Sequence, residues 1–204
     1  MIIIAQPYGG LGDNLQYSTI PEAAHSLGID VYVSNDNKYR NQDIKKLVWE
    51  CNPYIKGFVD APGNIDPRNR GGIGVIPQAE ERILGKIFNS RPKLYYVPKK
   101  IEELSSKVVV DLKARHGNSD TAVDAIKANY PEAVYVNCEG PPTSSSVYSS
   151  NIFEWVDIIT SAKEFVAQHS GGTLVAAAYN KPCTVYRTTK DHIFMFDLHT
   201  YIQV

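Results

Sequence analysis

Cysteine is scarce, no long apolar run is present, and neither sign of charge dominates. The three cysteines, Cys51, Cys138 and Cys183, are odd in number, far apart and match no metal-ligand spacing. They exclude a disulfide framework and read as reduced small hydrophobes of a cytoplasmic protein. Met1 opens onto only Ile2, Ile3, Ile4 and Ala5 before Gln6 and Pro7, a run too short for a transmembrane segment and without the basic flank of a signal sequence. With 21 basic against 22 acidic residues and a net charge of −1, there is no broad basic field for nucleic acid or anionic membrane. Any bound anion must be held by local groups. No D-x-D metal pair stands near the loops singled out below. The pattern G-x-G-x-x-G is missing from the first glycine turn, which counts against a dinucleotide cofactor.

What is present supports a sizeable core. A chain of 204 residues can bury roughly 70% of its unfolded surface as one large domain or two small ones. The 13 tyrosines fall partly in loops, where they line sites for sugars or bases or simply cover surface.

Taken in order, the chain reads as two similar halves. Ile2 to Ala5 is a buried parallel strand running into the glycine loop Y-G-G-L-G-D-N, which carries Asp13. Thr19 to Glu22 has capping-box spacing for a helix over 20–27 that stops at Gly28. Val31 to Ser34 is a second strand, emptying into Asn35, Asp36 and Asn37. A helix over 43–49 and a strand over 55–59 follow. Asp60 to Gly74 has no period and reads as a mobile loop of the kind that grips substrates. The spacing predicts a helix over 78–88, with Ile83, Leu84, Ile87 and Phe88 as its apolar stripe, and a strand over 94–97.

Between Pro98 and Ser106 the composition turns to lysine, glutamate and serine, which places a domain boundary there and divides the chain into 1–100 and 101–204. Lys107 to Leu112 starts the second half and delivers Lys113, Arg115 and His116 into a loop. Ser119 or Asp120 caps a helix, and a strand over 133–138 leads to Glu139 and a serine-rich loop. Asn151 to Glu154 has capping-box spacing for another helix, and Phe165 to Gln168 is a strand. Repeated strand–helix–strand units predict an α/β protein with a parallel sheet in each half. Ligands of such sheets bind at the carboxyl ends of the strands. Asp13, Asn35, Lys113, Glu139, His169, Ser170 and Arg187 are expected on that side, whereas Lys181 lies at the opposite end of its strand.

The most informative stretch is Val166 to Tyr186. It predicts a strand, a turn on Gly171 and Gly172, a small-residue helix over 173–179, a stop at Asn180 and Pro182, and a new strand from Cys183. A glycine turn from strand into helix exposes the helix's first N–H groups, which no carbonyl within the helix can satisfy. With His169, Ser170 and Thr173 beside them, the expected guest is a phosphate, in particular a nucleotide diphosphate, against the plainer reading of a tight βα turn.

G-G-L-G-D-N at Gly9 to Asn14, together with H-S-G-G-T-L-V-A-A-A-Y-N-K-P-C-T-V-Y, resembles the heptosyltransferase family, glycosyltransferase family 9. Its members are two-domain GT-B enzymes that move a sugar from an ADP-heptose-like donor to lipopolysaccharide core. Ser170, Gly171, Ala176, Ala177, Lys181 and Pro182 match the family's second motif, which binds the donor diphosphate. His169 stands where the family usually has aspartate, and Leu174 where it has histidine. The resemblance implies two Rossmann-like domains facing a cleft, with 1–100 on the acceptor side and 101–204 on the nucleotide-sugar side. It also implies that Asp13 is the base that deprotonates the acceptor hydroxyl. Gly10, Gly12, Asn14 and Asn35 are expected on the same acceptor side.

The chemistry fits these residue types. Transfer requires the acceptor hydroxyl to lose a proton and the leaving diphosphate's growing charge to be met. The helix start at Ser170 to Thr173, with Lys113, Arg115 or Arg187, can hold a diphosphate without a metal. His169 either donates to a phosphate or caps its own helix, and Glu139 either binds the donor ribose or faces water. The expectation is a metal-independent inverting glycosyltransferase with no cofactor beyond its nucleotide-sugar substrate. Its acceptor is a glycan or lipid-linked hydroxyl, and peripheral membrane contact stays open. The alternative is a catalytically inactive sugar-nucleotide or glycan-binding module in a GT-B shell.

Overall fold

The computed structural model describes residues 1–65, 75–113, 120–187 and 195–204. Arg115, His116 and Ser119 of the expected anion loop and cap, and most of the expected loop over 60–74, lie outside them. Contacts divide the chain into a unit formed mainly by Met1–Tyr96 and a unit formed mainly by residues 97–187 and Phe196–Val204.

The first unit is built on β1 (Ile2–Ile4), followed by α1 (Leu11–Leu15), α2 (Ile20–Ser26), β2 (Val31–Ser34), α3 (Gln42–Lys45), β3 (Ile55–Val59) and α4 (Val75–Leu84). The three strands form a parallel sheet in the order β1-β2-β3. The apolar character of β1 and β2 goes with their burial, whereas β3, at the edge of the sheet, carries the exposed Lys56 and has no fully buried residue.

Several expectations for this unit are corrected. The glycine loop contains α1, and Asp13 occupies that helix's first turn rather than open loop. Thr19 makes no side-chain cap, because its backbone is already helical and α2 continues from the turn before it. α3 passes at Lys46 into a π-helical turn, Lys46–Glu50, closed by Cys51 N–H donating to Lys46 C=O at 2.9 Å. Leu47, Val48 and Trp49 are all buried, and the wider turn lets three consecutive side chains point inward where a 3.6-residue helix would expose one. α4 ends at Leu84, not Phe88. Gly85 takes a left-handed φ of +72°, and the Glu80 carboxylate accepts from the N–H groups of Phe88 and Asn89 at 2.6 and 2.7 Å, folding that segment back. Residues 94–97 form no strand; Val97 is 83% exposed, and Lys93 N–H donates to Ser18 Oγ rather than to a ladder.

The second unit contains β4 (Val108–Asp111), α5 (Asp120–Asn129), β5 (Val134–Val136), β6 (Ser145–Val147), α6 (Ile152–Ser161), β7 (Glu164–Gln168), α7 (Gly171–Ala178), β8 (Cys183–Arg187) and β9 (Thr200–Gln203). All six strands are parallel, in the order β6-β5-β4-β7-β8-β9. Taken in chain order this is the doubly wound 3-2-1-4-5-6 arrangement, whose strand order reverses between β4 and β7. Period-2 alternation sends Val110, Leu112, Val166 and Tyr186 into a core with Ala122 and Ile126 of α5. It turns Asp111 and Phe165 the other way, where they meet Trp155 of α6 and Gly172 of α7. Asn151 caps α6 by accepting from the N–H groups of Phe153 and Glu154. Asn180 closes α7 with a φ of 53°. The edge strands β6 and β9 were not expected, since serine-rich and partly polar runs of three and four residues carry little period.

Candidate functional site

In the first unit a corner forms where β1 runs into α1. Asp13 Oδ2 accepts from Gly10 N–H at 3.2 Å. A Cβ on Gly10 would lie 2.7 Å from Asp13 Oδ2 and 3.3 Å from Arg40 Nη2, so a carboxylate and a guanidinium share one side of this glycine. Gly9 is equally constrained, since a Cβ there would come within 2.8 Å of the Arg40 backbone nitrogen. That nitrogen donates to Gly9 C=O at 2.7 Å, pinning the loop after β2 to the corner.

Asn14 is the hub beneath. It is 0% exposed, its Nδ2 donates to Gly10 C=O at 2.9 Å, and its Oδ1 accepts from Asn37 at 3.0 Å and from the Trp49 indole at 2.9 Å. These three contacts occupy its side chain in holding the corner. Gly12, inside α1, has its carbonyl accepting from Gln16 N–H. Asn35 is exposed after β2 and donates to the Asp60 carboxylate. It lines a polar cavity of about 290 Å³ together with Asn37, Lys38, Tyr39 and Lys45.

In the second unit, the register brings the predicted anion-binding residues to one edge. Asp111 pairs with Ala167, and Gln168 with Tyr186. Lys113, His169 and Arg187 therefore emerge from the carboxyl ends of three adjacent strands, on either side of the β4/β7 reversal. Gln168 Nε2 donates to Leu112 C=O at 2.5 Å and clamps the two exits together. α7 starts at Gly171, two residues earlier than expected, with Ser170 as its cap. Ser170 Oγ accepts from Gly172 N–H at 3.2 Å, and Ser170 C=O accepts from both the N–H and the hydroxyl of Thr173. Thr173 is fully buried, so its hydroxyl serves the turn. Gly171 N–H makes no hydrogen bond among the described residues, and it is the amide this helix start offers outward. Glu139 is exposed beyond β5. Lys181 Nζ donates to Ala162 C=O at the end of α6, which gives that side chain a structural task at the far edge of the sheet.

Three residues here were missed by sequence reasoning. Asp111, 3% exposed, accepts from Lys113 N–H at 2.9 Å and from the Trp155 indole at 3.0 Å, and burial pushes its carboxyl above the usual range. His199 Nε2 meets Thr173 C=O at 2.9 Å, bracing the first turn of α7. Arg40 stands beside Asp13. Only Asp111 had a visible signal, as a lone carboxylate closing the apolar run of β4. Among the described residues, no three His, Cys, Asp or Glu side chains cluster where a metal ion could be held, and no helix is long and apolar enough to cross a membrane.

With its two parallel-sheet units, one of them doubly wound, the chain has GT-B heptosyltransferases as structural neighbours. Solved structures similar to this chain include the iron-containing dodecameric glycosyltransferase TibC of enterotoxigenic Escherichia coli, at 17% identity with a TM-score of 0.68. They also include a glycosyltransferase family 9 structure from Veillonella parvula, at 8% and 0.67, and E. coli ADP-heptose lipopolysaccharide heptosyltransferase II, at 11% and 0.65. Each match covers 99% of this chain; it covers 62%, 85% and 90%, respectively, of the other chains. The chain thus spans about three-fifths of the length of TibC. No family model matches the chain, and no curated protein sequence matches it. The family resemblance drawn from the two glycine motifs is borne out at the level of fold.

Proposed function

We propose that this protein is an inverting glycosyltransferase that moves a sugar from a nucleotide-diphosphate donor to a hydroxyl of a glycan or lipid-linked acceptor. The observation that carries the reading is the edge of the second unit. The helix start at Ser170 and Gly171 stands beside the strand-order reversal, with Lys113, His169 and Arg187 on neighbouring strand exits. The Gly171 N–H at the helix N-terminus and two cationic side chains can meet the charge that grows on a leaving diphosphate. Arg115 would join them, and Glu139 would reach the donor's ribose. The likeness in fold adds to this, since TibC was solved in complex with ADP-D-β-D-heptose.

Asp13 is the proposed general base, with the residues of 1–100 on the acceptor side and those of 101–204 on the donor side. The carboxylate takes the acceptor proton as the hydroxyl oxygen attacks the anomeric carbon, and the diphosphate departs from the opposite face, which inverts the anomeric configuration. Gly10 N–H holds the carboxylate, Asn14 holds Gly10 through its carbonyl, and Gly12 is the residue before Asp13 in α1. Asn35 and the polar cavity it lines supply hydrogen-bonding groups for a hydroxylated acceptor. Because protein groups meet the leaving charge, the reaction is proposed to need no metal. The reading places the protein in the cytoplasm, where its three free cysteines stay reduced.

The test is to incubate the protein with ADP-, GDP- and UDP-sugars, with and without EDTA, and to follow nucleoside diphosphate release and the anomeric proton of the product by NMR. Release that survives EDTA, with an inverted product, is expected. Nucleotide binding without any turnover would instead identify a binding module.

A further inference from the structure

We propose that Asp111 is a positioning residue for the anion site of the second unit, acting through Trp155 and through the backbone of Lys113. The inference rests on the reading of that site as one for a diphosphate.

A carboxylate buried at the end of an apolar strand is costly unless both oxygens are satisfied. Here each oxygen serves a different neighbour of the site. Oδ1 accepts from Lys113 N–H, two residues on, at 2.9 Å, and this contact fixes the direction in which the chain leaves β4 and therefore where the Lys113 side chain emerges. Oδ2 accepts from the indole N–H of Trp155, 44 residues away on α6, at 3.0 Å. That indole is not a remote partner. A Cβ on Gly172 would stand 3.3 Å from Trp155 Cζ2 and 3.3 Å from Phe165 Cζ, so the two rings form the floor on which the first turn of α7 rests. Gly172 in turn is the residue whose amide Ser170 Oγ receives.

One side chain thus sets the two groups that flank the proposed anion: the lysine at the exit of β4 and the capped turn at the start of α7. An apolar residue at this position would pack as well and fix neither. An asparagine would turn an N–H toward one of two donors. Asp111 touches no ligand in this scheme; its role is to hold the groups that do.

The experiment measures the affinity of ADP, GDP and UDP by calorimetry for wild type, Asp111→Asn, Trp155→Phe and the double variant, with thermal midpoints recorded alongside. Loss of one charge-assisted hydrogen bond predicts a weakening of about tenfold in each single variant. The double variant should be no weaker than the weaker single, because both changes break one contact. Affinity within about twofold of wild type in a folded Asp111→Asn protein, or additive losses in the double variant, would overturn the inference even if the midpoint fell. If Asp111→Asn does not fold, Trp155→Phe, which keeps an aromatic ring and removes the N–H, decides alone. Should wild type bind none of the three nucleotides, the diphosphate reading itself fails, and this inference with it; binding unchanged by the variants sinks this inference only.

Discussion

Replacing Asn14 with alanine removes the polar hub of the first unit, and the structure sets the size of the effect. The side chain is fully buried and makes three hydrogen bonds, to Gly10 C=O, Asn37 Nδ2 and Trp49 Nε1. Gly10 C=O is not orphaned, because Asn14 N–H also donates to it at 3.1 Å. Asn37 Nδ2 keeps only a longer contact to Lys38 C=O at 3.4 Å, and the Trp49 indole N–H, in a side chain with 0% exposure, keeps nothing. Each buried donor left without its partner costs about 1–3 kcal/mol, and Asn37 is partly rescued, so Asn14→Ala should destabilise by about 2–4 kcal/mol. For a chain of this length that lowers the melting midpoint by roughly 4–16 °C. The assay is urea or thermal unfolding followed by tryptophan emission. A double-mutant cycle with Trp49→Phe isolates the indole contact, because the second change removes the orphaned donor. The double variant should be at least about 1 kcal/mol less destabilised than the sum of the singles. A single-variant loss under about 0.5 kcal/mol, or a fully additive cycle, would refute the assignment of Asn14 as the hub.

Gly9→Ala should cost about 1–3 kcal/mol, since the new Cβ would meet backbone atoms of Tyr39 and Arg40 that cannot swing aside. At Gly28, with φ +71° and nothing within 4 Å, alanine should cost only the left-handed backbone penalty of about 1–2 kcal/mol; chemical denaturation of both compares them. Burial pushes all three thiols above their ordinary range, so Cys51 and Cys138 should react with a thiol reagent at pH 7 more slowly than a free cysteine, and buried Cys183 only after unfolding. A fast three-thiol burst in native protein would contradict this. Burial raises the Asp111 carboxyl, so its charged form is disfavoured more in the folded chain than in the unfolded one. Its contribution to stability is therefore fully present below the ordinary aspartate range and is lost as pH rises through the folded-state value. Asp111→Asn should flatten that part of the stability–pH curve measured by urea midpoints, and an unchanged curve would refute the assignment.

Strands β1, β2 and β4 were legible because burial leaves short apolar runs; β2 and β3 have the expected bounds, β3 although Lys56 and Gly57 interrupt it. The α7 region was legible because glycine, asparagine and proline mark its two ends chemically. What failed did so for tertiary reasons. Trp49 could not be placed on a regular helical face, because only a π turn brings it to Asn14. The stripe continuing to Phe88 looked helical, yet Gly85 and the Glu80 carboxylate end the helix at Leu84. Edge strands β6 and β9 exist because neighbouring backbones recruit them, a cause that no local period records. In the candidate site, the glycine-flanked residues were singled out from their motifs. Asp111, Arg40 and His199 became visible only when strand register and packing brought them beside Lys113, Asp13 and Thr173.

The account turns on a division of labour between Asp13 and the start of α7, and the paired measurement of affinity and turnover in Asp13→Asn tests it most directly. The expected result is a nucleoside diphosphate affinity within about twofold of wild type and a transfer rate lower by about 10²–10⁴, the contribution of a positioned general base. Transfer at the wild-type rate, or affinity lost in step with rate, would contradict it.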